Sequence, residues 1–242
     1  MTWRNLTLLA VVPARGGSKG IPGKNLRTVG GLSLVARAAQ IATAISGVDC
    51  AVLTTDDAAI AAEGRRHGLD VPFMRPPELA TDEATSAETW RHAWLASEAH
   101  YGRRFDLSVL LQPTTPSRNV ADVERTIEAM LDGDHMAAAT VSRVPGHFVP
   151  EKTLTLDAGH RLRFYRPEGA AHTARQTVPA YYYRNGICYA ARRDTLVDRG
   201  QILAEDCAGV VVDRYVVNID DPIELEIANL LASRPDLSER AG

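Results

Sequence analysis

The chain reads as an α/β protein built on a mainly parallel sheet, and two features of the sequence predict this. Continuously apolar runs alternate with helical periodicity through most of its 242 residues, without the polar alternation of a half-exposed strand. Clusters of polar, glycine and proline residues follow those runs, at the carboxyl ends of strands where an open parallel sheet binds its ligands.

Leu6–Val12 is the first predicted strand, followed by a loop over residues 14–25 and a helix over 32–45. Asp49–Thr54 is the second strand and ends in Thr54-Thr55-Asp56-Asp57, before a helix from about Ala58 to His67. Val71–Met74 reads as a short strand, and Ala84–His100 as a helix with Trp90 and Trp94 one turn apart. Leu107–Leu111 is a strand that ends in Gln112-Pro113-Thr114-Thr115-Pro116-Ser117-Arg118, and helix 120–131 and strand 136–142 follow. From about Pro145 to Tyr183 the rhythm breaks into short β-like pieces, turn residues and arginines, which marks an insertion. Strands Ile187–Ala191 and Val210–Val212 restore the pattern, and Val216-Val217-Asn218-Ile219-Asp220-Asp221 leads to a last helix at about 222–232. Asp221 suits its cap and Pro222 its first turn. The organisation expected is one domain over 1–242 with an inserted arm at about 145–183, and a frayed tail after Arg234.

With 45% hydrophobic residues, the chain can bury one substantial core. A net charge of −3 argues against sequence-independent nucleic-acid binding, which draws its affinity from Lys and Arg on phosphates. There is no cationic leader with an apolar core, and no apolar run reaches the roughly 18 residues of a membrane span, so a cytoplasmic protein is expected. Cys50, Cys188 and Cys207 are isolated, without zinc-site spacing, and are expected to be buried apolar residues.

The most informative segment is Ala14-Arg15-Gly16-Gly17-Ser18-Lys19-Gly20-Ile21-Pro22-Gly23-Lys24-Asn25. Small residues let backbone approach a ligand closely, successive N–H groups can face one anion, and Arg15, Lys19 and Lys24 add positive charge. Such a loop suits a polyphosphate. It is neither the GxxxxGK[ST] loop of ATPases and GTPases nor a GxGxxG dinucleotide turn. Asp220, on a loop after a strand, is the natural carboxylate for a divalent cation such as Mg²⁺.

Five linked motifs, in order and spacing across nearly the whole chain, resemble the acylneuraminate cytidylyltransferases. They are the 14–25 loop, Thr55-Asp56, Arg75-Pro76-Pro77-Glu78-Leu79-Ala80-Thr81-Asp82, Leu111-Gln112-Pro113-Thr114-Thr115-Pro116-Ser117-Arg118 and Asn185-Gly186. The resemblance implies a Rossmann-like nucleotidyltransferase fold, a homodimer, a requirement for CTP and magnesium, and transfer of CMP to a small acidic acceptor with release of pyrophosphate. Arg15, Lys24 and Asp220 would then be catalytic. Ala14, Gly16, Gly17, Ser18, Lys19, Asn25, Arg75 and Thr85 would serve the nucleotide, and Gln112, Thr114, Lys152, Arg175 and Asn185 the acceptor. The family usually shows two aspartates flanking one residue before the last helix, whereas this chain reads Asn218-Ile219-Asp220. Asn218 can offer a carbonyl oxygen to a cation but brings no charge and cannot act as a base.

Between Arg143 and Arg184 stand seven Lys or Arg (Arg143, Lys152, Arg161, Arg163, Arg166, Arg175, Arg184) against three acids (Glu151, Asp157, Glu168), an excess that suits an anionic acceptor or an exposed arm. A nonulosonic acid of the sialic type is the acceptor expected by default. A small phosphonate, already ionised at neutral pH, is the alternative that the amide at 218 would harm least. Octulosonate or guanylyl transfer is a further enzyme alternative, and a catalytically silent nucleotide-binding protein is the reading from another class.

Overall fold

Strand β1 (Leu8–Pro13) is buried along almost its whole length, and its side chains divide by parity, as the two-residue period of a strand requires. Leu8, Ala10 and Val12 belong to one apolar cluster, Leu9 and Val11 to another on the opposite face. A strand covered on both sides cannot alternate polar with apolar residues, which is why this segment reads as an unbroken apolar run.

The computed structural model describes residues 3–167, 169, 179–234 and 236–237. After β1 come a small hairpin of β2 (Thr28–Val29) and β3 (Leu32–Ser33), α1 (Leu34–Ala44), β4 (Cys50–Thr54), α2 (Ala58–Arg66), α3 (Ser86–Tyr101) and β5 (Leu107–Leu110). There follow α4 (Val120–Asp132), β6 (Ala137–Arg143), a second hairpin of β7 (Leu154–Leu156) and β8 (Leu162–Phe164), β9 (Tyr182–Arg192), β10 (Cys207–Val211) and α5 (Pro222–Ser233). The central sheet has the order β10-β6-β9-β5-β1-β4. Strand β1 lies parallel to both β4 and β5, and β10 parallel to β6, so the sheet is mainly parallel as expected.

One face of the sheet is covered by α1, α2 and α4 through Val35, Ala38, Ala42, Ile60, Val123, Ile127 and Met130. The other is covered by α3 and a π-helical turn at Asp194–Asp198, through Trp90, Ala93, Trp94, Leu196 and Val197. A third cluster seats α5 on the β2–β3 hairpin through Ile21, Val29, Val217, Ile219 and Ala228. The helix starts are capped by side chains: Ser33 for α1, Asp57 for α2, and reciprocal capping boxes of Thr85 with Glu88, Asn119 with Asp122 and Asp221 with Glu224 for α3, α4 and α5.

Three features depart from expectation. Val71–Met74 is not a strand: after one parallel bridge between Val52 and Asp70 the pairing stops, because Pro72 has no N–H to continue it. Strand β9 begins at Tyr182, five residues before the expected Ile187, and lies antiparallel to both β5 and β6. The chain thus returns from the arm directly into the centre of the sheet. The short β-like pieces of the 145–183 stretch include β7 and β8, which pair with each other in an exposed hairpin outside the central sheet. Of the cysteines only Cys188 is fully buried, and burial pushes its thiol up to about 12; Cys50 and Cys207 are half-buried.

Trp90 and Trp94 lie one turn apart on the buried face of α3, with ring centroids 6.3 Å apart, and the Trp90 indole donates to Ser108 Oγ at 2.8 Å. Trp90→Ala should cost about 3–5 kcal/mol of unfolding free energy, measured by urea denaturation, from the cavity and the orphaned hydroxyl together.

Candidate active-site cleft

Because β1, β4 and β5 are parallel neighbours, their carboxyl ends share one edge of the sheet, and the loops that leave them wall a cleft of about 380 Å³. Arg15, Ser18, Lys19, Gly20, Lys24 and Asn25 form one side, Leu79, Thr81, Asp82, Ala84 and Ser86 another, and Gln112, Pro113 and Thr114 lie beside Asp220. Arg75 also lines the cleft.

The 14–25 loop is fixed at both ends. Ala14 N–H donates to Thr54 O at 3.0 Å, and the Asn25 amide donates to Arg15 O at 2.9 Å from a buried position. Asn25 therefore shapes the loop as well as lining the cleft. The Gly16 N–H is taken by Asp56 Oδ1 at 2.9 Å, so this amide is spent on the protein. The next four N–H groups, of Gly17, Ser18, Lys19 and Gly20, donate to no acceptor among the described residues, which leaves a run of main-chain donors for an anion.

The loop docks on the Asp220 segment through backbone. A Cβ at Gly20 would stand 2.3 Å from the carbonyl oxygen of Asp220, so only glycine permits this approach. Lys24 Nζ donates to Ile219 O at 2.9 Å and pairs with Asp220 Oδ1 at 3.1 Å, while Ile219 N–H donates to Thr114 O at 2.8 Å. Three loops, from β1, from β5 and from before α5, are thereby tied into one rim. The Asn218 amide donates to Asp220 Oδ2 at 3.3 Å, and Asp221 is occupied in capping α5.

Behind the rim, Arg75 is buried and donates to Thr54 O at 2.6 Å and Thr54 Oγ1 at 3.3 Å. Burial lowers its guanidinium to about 10; nearby Asp56 opposes that shift and nearby Arg15 adds to it, and the group stays charged at neutral pH. Arg75 is thus a fixed charge in the floor of the cleft.

Several expected contacts lie elsewhere. Thr85 caps α3 with its hydroxyl, while its neighbours Ala84 and Ser86 line the cleft. Asn185 is buried in β9, where Thr140 Oγ1 donates to its oxygen at 2.7 Å and its amide donates to Ser142 Oγ at 3.0 Å. Its polar atoms are consumed in joining β6 to β9, so it supports the cleft from behind and does not face an acceptor. Lys152 sits in a 3-10 turn at Pro150–Lys152 and is not among the residues that line the cleft. Arg175 falls outside the described residues.

A family model described as cytidylyltransferase matches residues 9–214. The post-translational flagellin modification protein B of Campylobacter coli is 26% identical over 96% of this chain and 98% of its own length. The CMP-N,N'-diacetyllegionaminic acid synthase of Legionella pneumophila is 28% identical over 93% of this chain and 96% of its own. Among solved structures, a CMP:2-keto-3-deoxy-manno-octonic acid synthetase complexed with CTP superposes with a TM-score of 0.68 at 19% identity, over 95% of this chain and 99% of that one, which is a likeness of fold.

Arg118 is the structural residue that motif reading did not single out. Fully buried, it donates through Nη2 to Gln112 O at 2.7 Å and Gly186 O at 3.1 Å, and through Nε to Ile187 O, clamping the cleft loop after β5 onto β9. Burial lowers its guanidinium to about 10, and it remains protonated to satisfy those carbonyls. Its only sequence signal was an arginine ending an otherwise turn-like motif. Arg118→Met should lower the unfolding free energy by about 2–4 kcal/mol in urea titrations, since three hydrogen bonds to carbonyl oxygen are lost from a buried site.

Proposed function

Since this chain belongs to the cytidylyltransferase family, we propose that it transfers CMP from CTP to a nonulosonic acid and releases pyrophosphate. The observation that carries the reading is the convergence, in one cleft, of an amide run with three cations on one side and Gln112, Thr114 and Asp220 on the other. The sugar-acid acceptor is supported by the relatives, which include legionaminic, N-acylneuraminate and pseudaminic acid enzymes.

In this reading the triphosphate lies along the 14–25 loop, held by the free amides, Arg15, Ser18 and Lys19. The acceptor's anomeric hydroxyl oxygen attacks the α-phosphorus and gives up its proton to water, and the bond from that phosphorus to the bridging oxygen breaks as pyrophosphate leaves with the electron pair. Lys24 is only 15% exposed and is held by Ile219 and Asp220, so its charge is fixed before the leaving group develops its own. Gln112 and Thr114 take the acceptor side, and Arg75 supplies fixed charge under the nucleotide.

A magnesium ion fits the Asp220 side of the donor set, a hard carboxylate 69% exposed to which phosphates would add further oxygens, whereas Asn218 turns its amide nitrogen to Asp220 and its oxygen to Thr115 Oγ1. When bound, it would neutralise phosphate charge. With one carboxylate where the family usually has two, the site holds less negative charge. This difference favours an acceptor that is already anionic at its attacking oxygen, so a small phosphonate is kept as the second reading.

A homodimer is part of the proposal. On the β7–β8 hairpin Leu154 pairs with Phe164 and Leu156 with Leu162, and all four side chains are exposed, along with Phe148, Tyr165, Tyr182 and Tyr183. An apolar face of this extent suits a second copy of the chain. Among the described residues no helix is long and apolar enough to cross a membrane, and three free cysteines fit a reducing, cytoplasmic setting.

Pyrophosphate release from CTP and magnesium, across sialic, legionaminic and pseudaminic acids, octulosonate and small phosphonates, tests the reading. Turnover should appear with a nonulosonic acid; turnover with phosphonates alone would replace it by the second reading, and silence with every acceptor would overturn both. Lys24→Ala should lower kcat by about 10²- to 10³-fold while the protein remains folded, if the lysine acts on leaving-group charge. Turnover equal to wild type would remove it from that role.

A further inference from the structure

The two outer cations of the phosphate loop are not free. Asp82 Oδ1 lies 2.7 Å from Arg15 Nη2, and Asp82 Oδ2 lies 2.5 Å from Lys19 Nζ. Arg15 Nη1 also donates to Thr81 O at 2.8 Å, so the guanidinium is held by the segment between the 3-10 turn Pro77–Leu79 and α3. One carboxylate thus bridges two cations that come from the opposite wall of the cleft.

We propose that Asp82 is a built-in competitor for the triphosphate, a carboxylate that occupies Arg15 and Lys19 until phosphate oxygens displace it. The proposal rests on the reading of the 14–25 loop as the triphosphate site. A carboxylate and a phosphate are both acceptor-only anions of similar reach, and each asks for the same N–H donors. If Asp82 stayed in place, its charge would stand against that of the bound phosphates, and like charges brought together oppose binding. Asp82 is fully anionic at neutral pH, because its hydrogen bonds with Lys19 and then with Arg15 hold its carboxyl below the usual range.

The exchange has consequences at both ends of the reaction. On entry, the nucleotide gains two cation contacts only by breaking two that already exist, so its affinity is lower than the cations alone would give. On exit, Asp82 retakes Arg15 and Lys19 as pyrophosphate leaves, which eases the departure of a product that would otherwise hold the same cations. Asp82 is a positioning residue in this scheme, since it acts through the two cations and touches neither reacting atom. It also explains why an acidic side chain lies inside a cleft built for an anion. The side chain is 43% exposed, so its replacement is not a folding lesion.

The test is calorimetric binding of two probes, inorganic triphosphate and CTP, to wild type, Asp82→Asn and Asp82→Ala, each with magnesium. Both variants should bind inorganic triphosphate about three- to tenfold more tightly, the scale of two exposed ion pairs removed from competition. CTP should tighten by a similar factor, and in steady state the KM for CTP should fall while inhibition by added pyrophosphate strengthens. A merely structural aspartate would leave that inhibition unchanged or weaken all binding. Equal or weaker triphosphate binding in both variants, with wild-type melting temperatures, overturns the proposal. Tighter triphosphate binding in variants that ignore CTP sustains the competition and rejects the cytidylyl reading instead.

Discussion

A strand that is buried on both faces carries a polar side chain only where a partner satisfies it, and β1, apolar throughout, imposes that constraint on everything around it. Paired in parallel with β4 and β5, it forces three loops to leave the sheet at the same edge, and all three change abruptly from apolar to polar composition there. The cleft is therefore a consequence of how the core is covered. The fourth element, the segment before α5, is not delivered by the sheet edge alone but by the Ile219 to Thr114 hydrogen bond and the two contacts of Lys24.

Charge in this cleft is managed in two ways. Arg75 and Arg118 are buried and satisfied by carbonyl or hydroxyl oxygen, which costs part of their basicity but leaves their charge uncancelled. Arg15 and Lys19, closer to solvent, share the Asp82 carboxylate. Exposed pairs of this kind contribute little to stability. Their meaning is as exchangeable partners, and a ligand that replaces a carboxylate there inherits an already oriented cation.

Much of this was legible in the sequence because it is local. Loop 14–25, Gln112, Thr114 and Asp220 announced themselves through composition and through their position after apolar runs, Arg75 only through its resemblance to a family motif, and the capping of α5 by Asp221 followed from Asp-Pro alone. The rest depends on partners distant along the chain. Nothing in Ile187–Ala191 says that β9 runs against its neighbours, since a fully buried strand has the same apolar run in either direction. Asn185 sits in a motif that looks like a site, yet its amide is spent on Thr140 and Ser142, about 45 residues away. The capture of Arg15 and Lys19 by Asp82 is likewise invisible without the third dimension, as is the use of the Gly16 amide by Asp56.

The glycines of the phosphate loop are not equivalent. At Gly20 the protein's own backbone forbids a side chain, whereas a Cβ at Gly17 would meet nothing within 4 Å and its φ is not of the kind that only glycine tolerates. The fold therefore leaves position 17 open to other residues and closes position 20. Under the proposed function, a methyl group at position 17 would crowd the oxyanion to which the free amides are offered. The two glycines thus answer to different demands, Gly20 to folding and Gly17, in that reading, to the ligand.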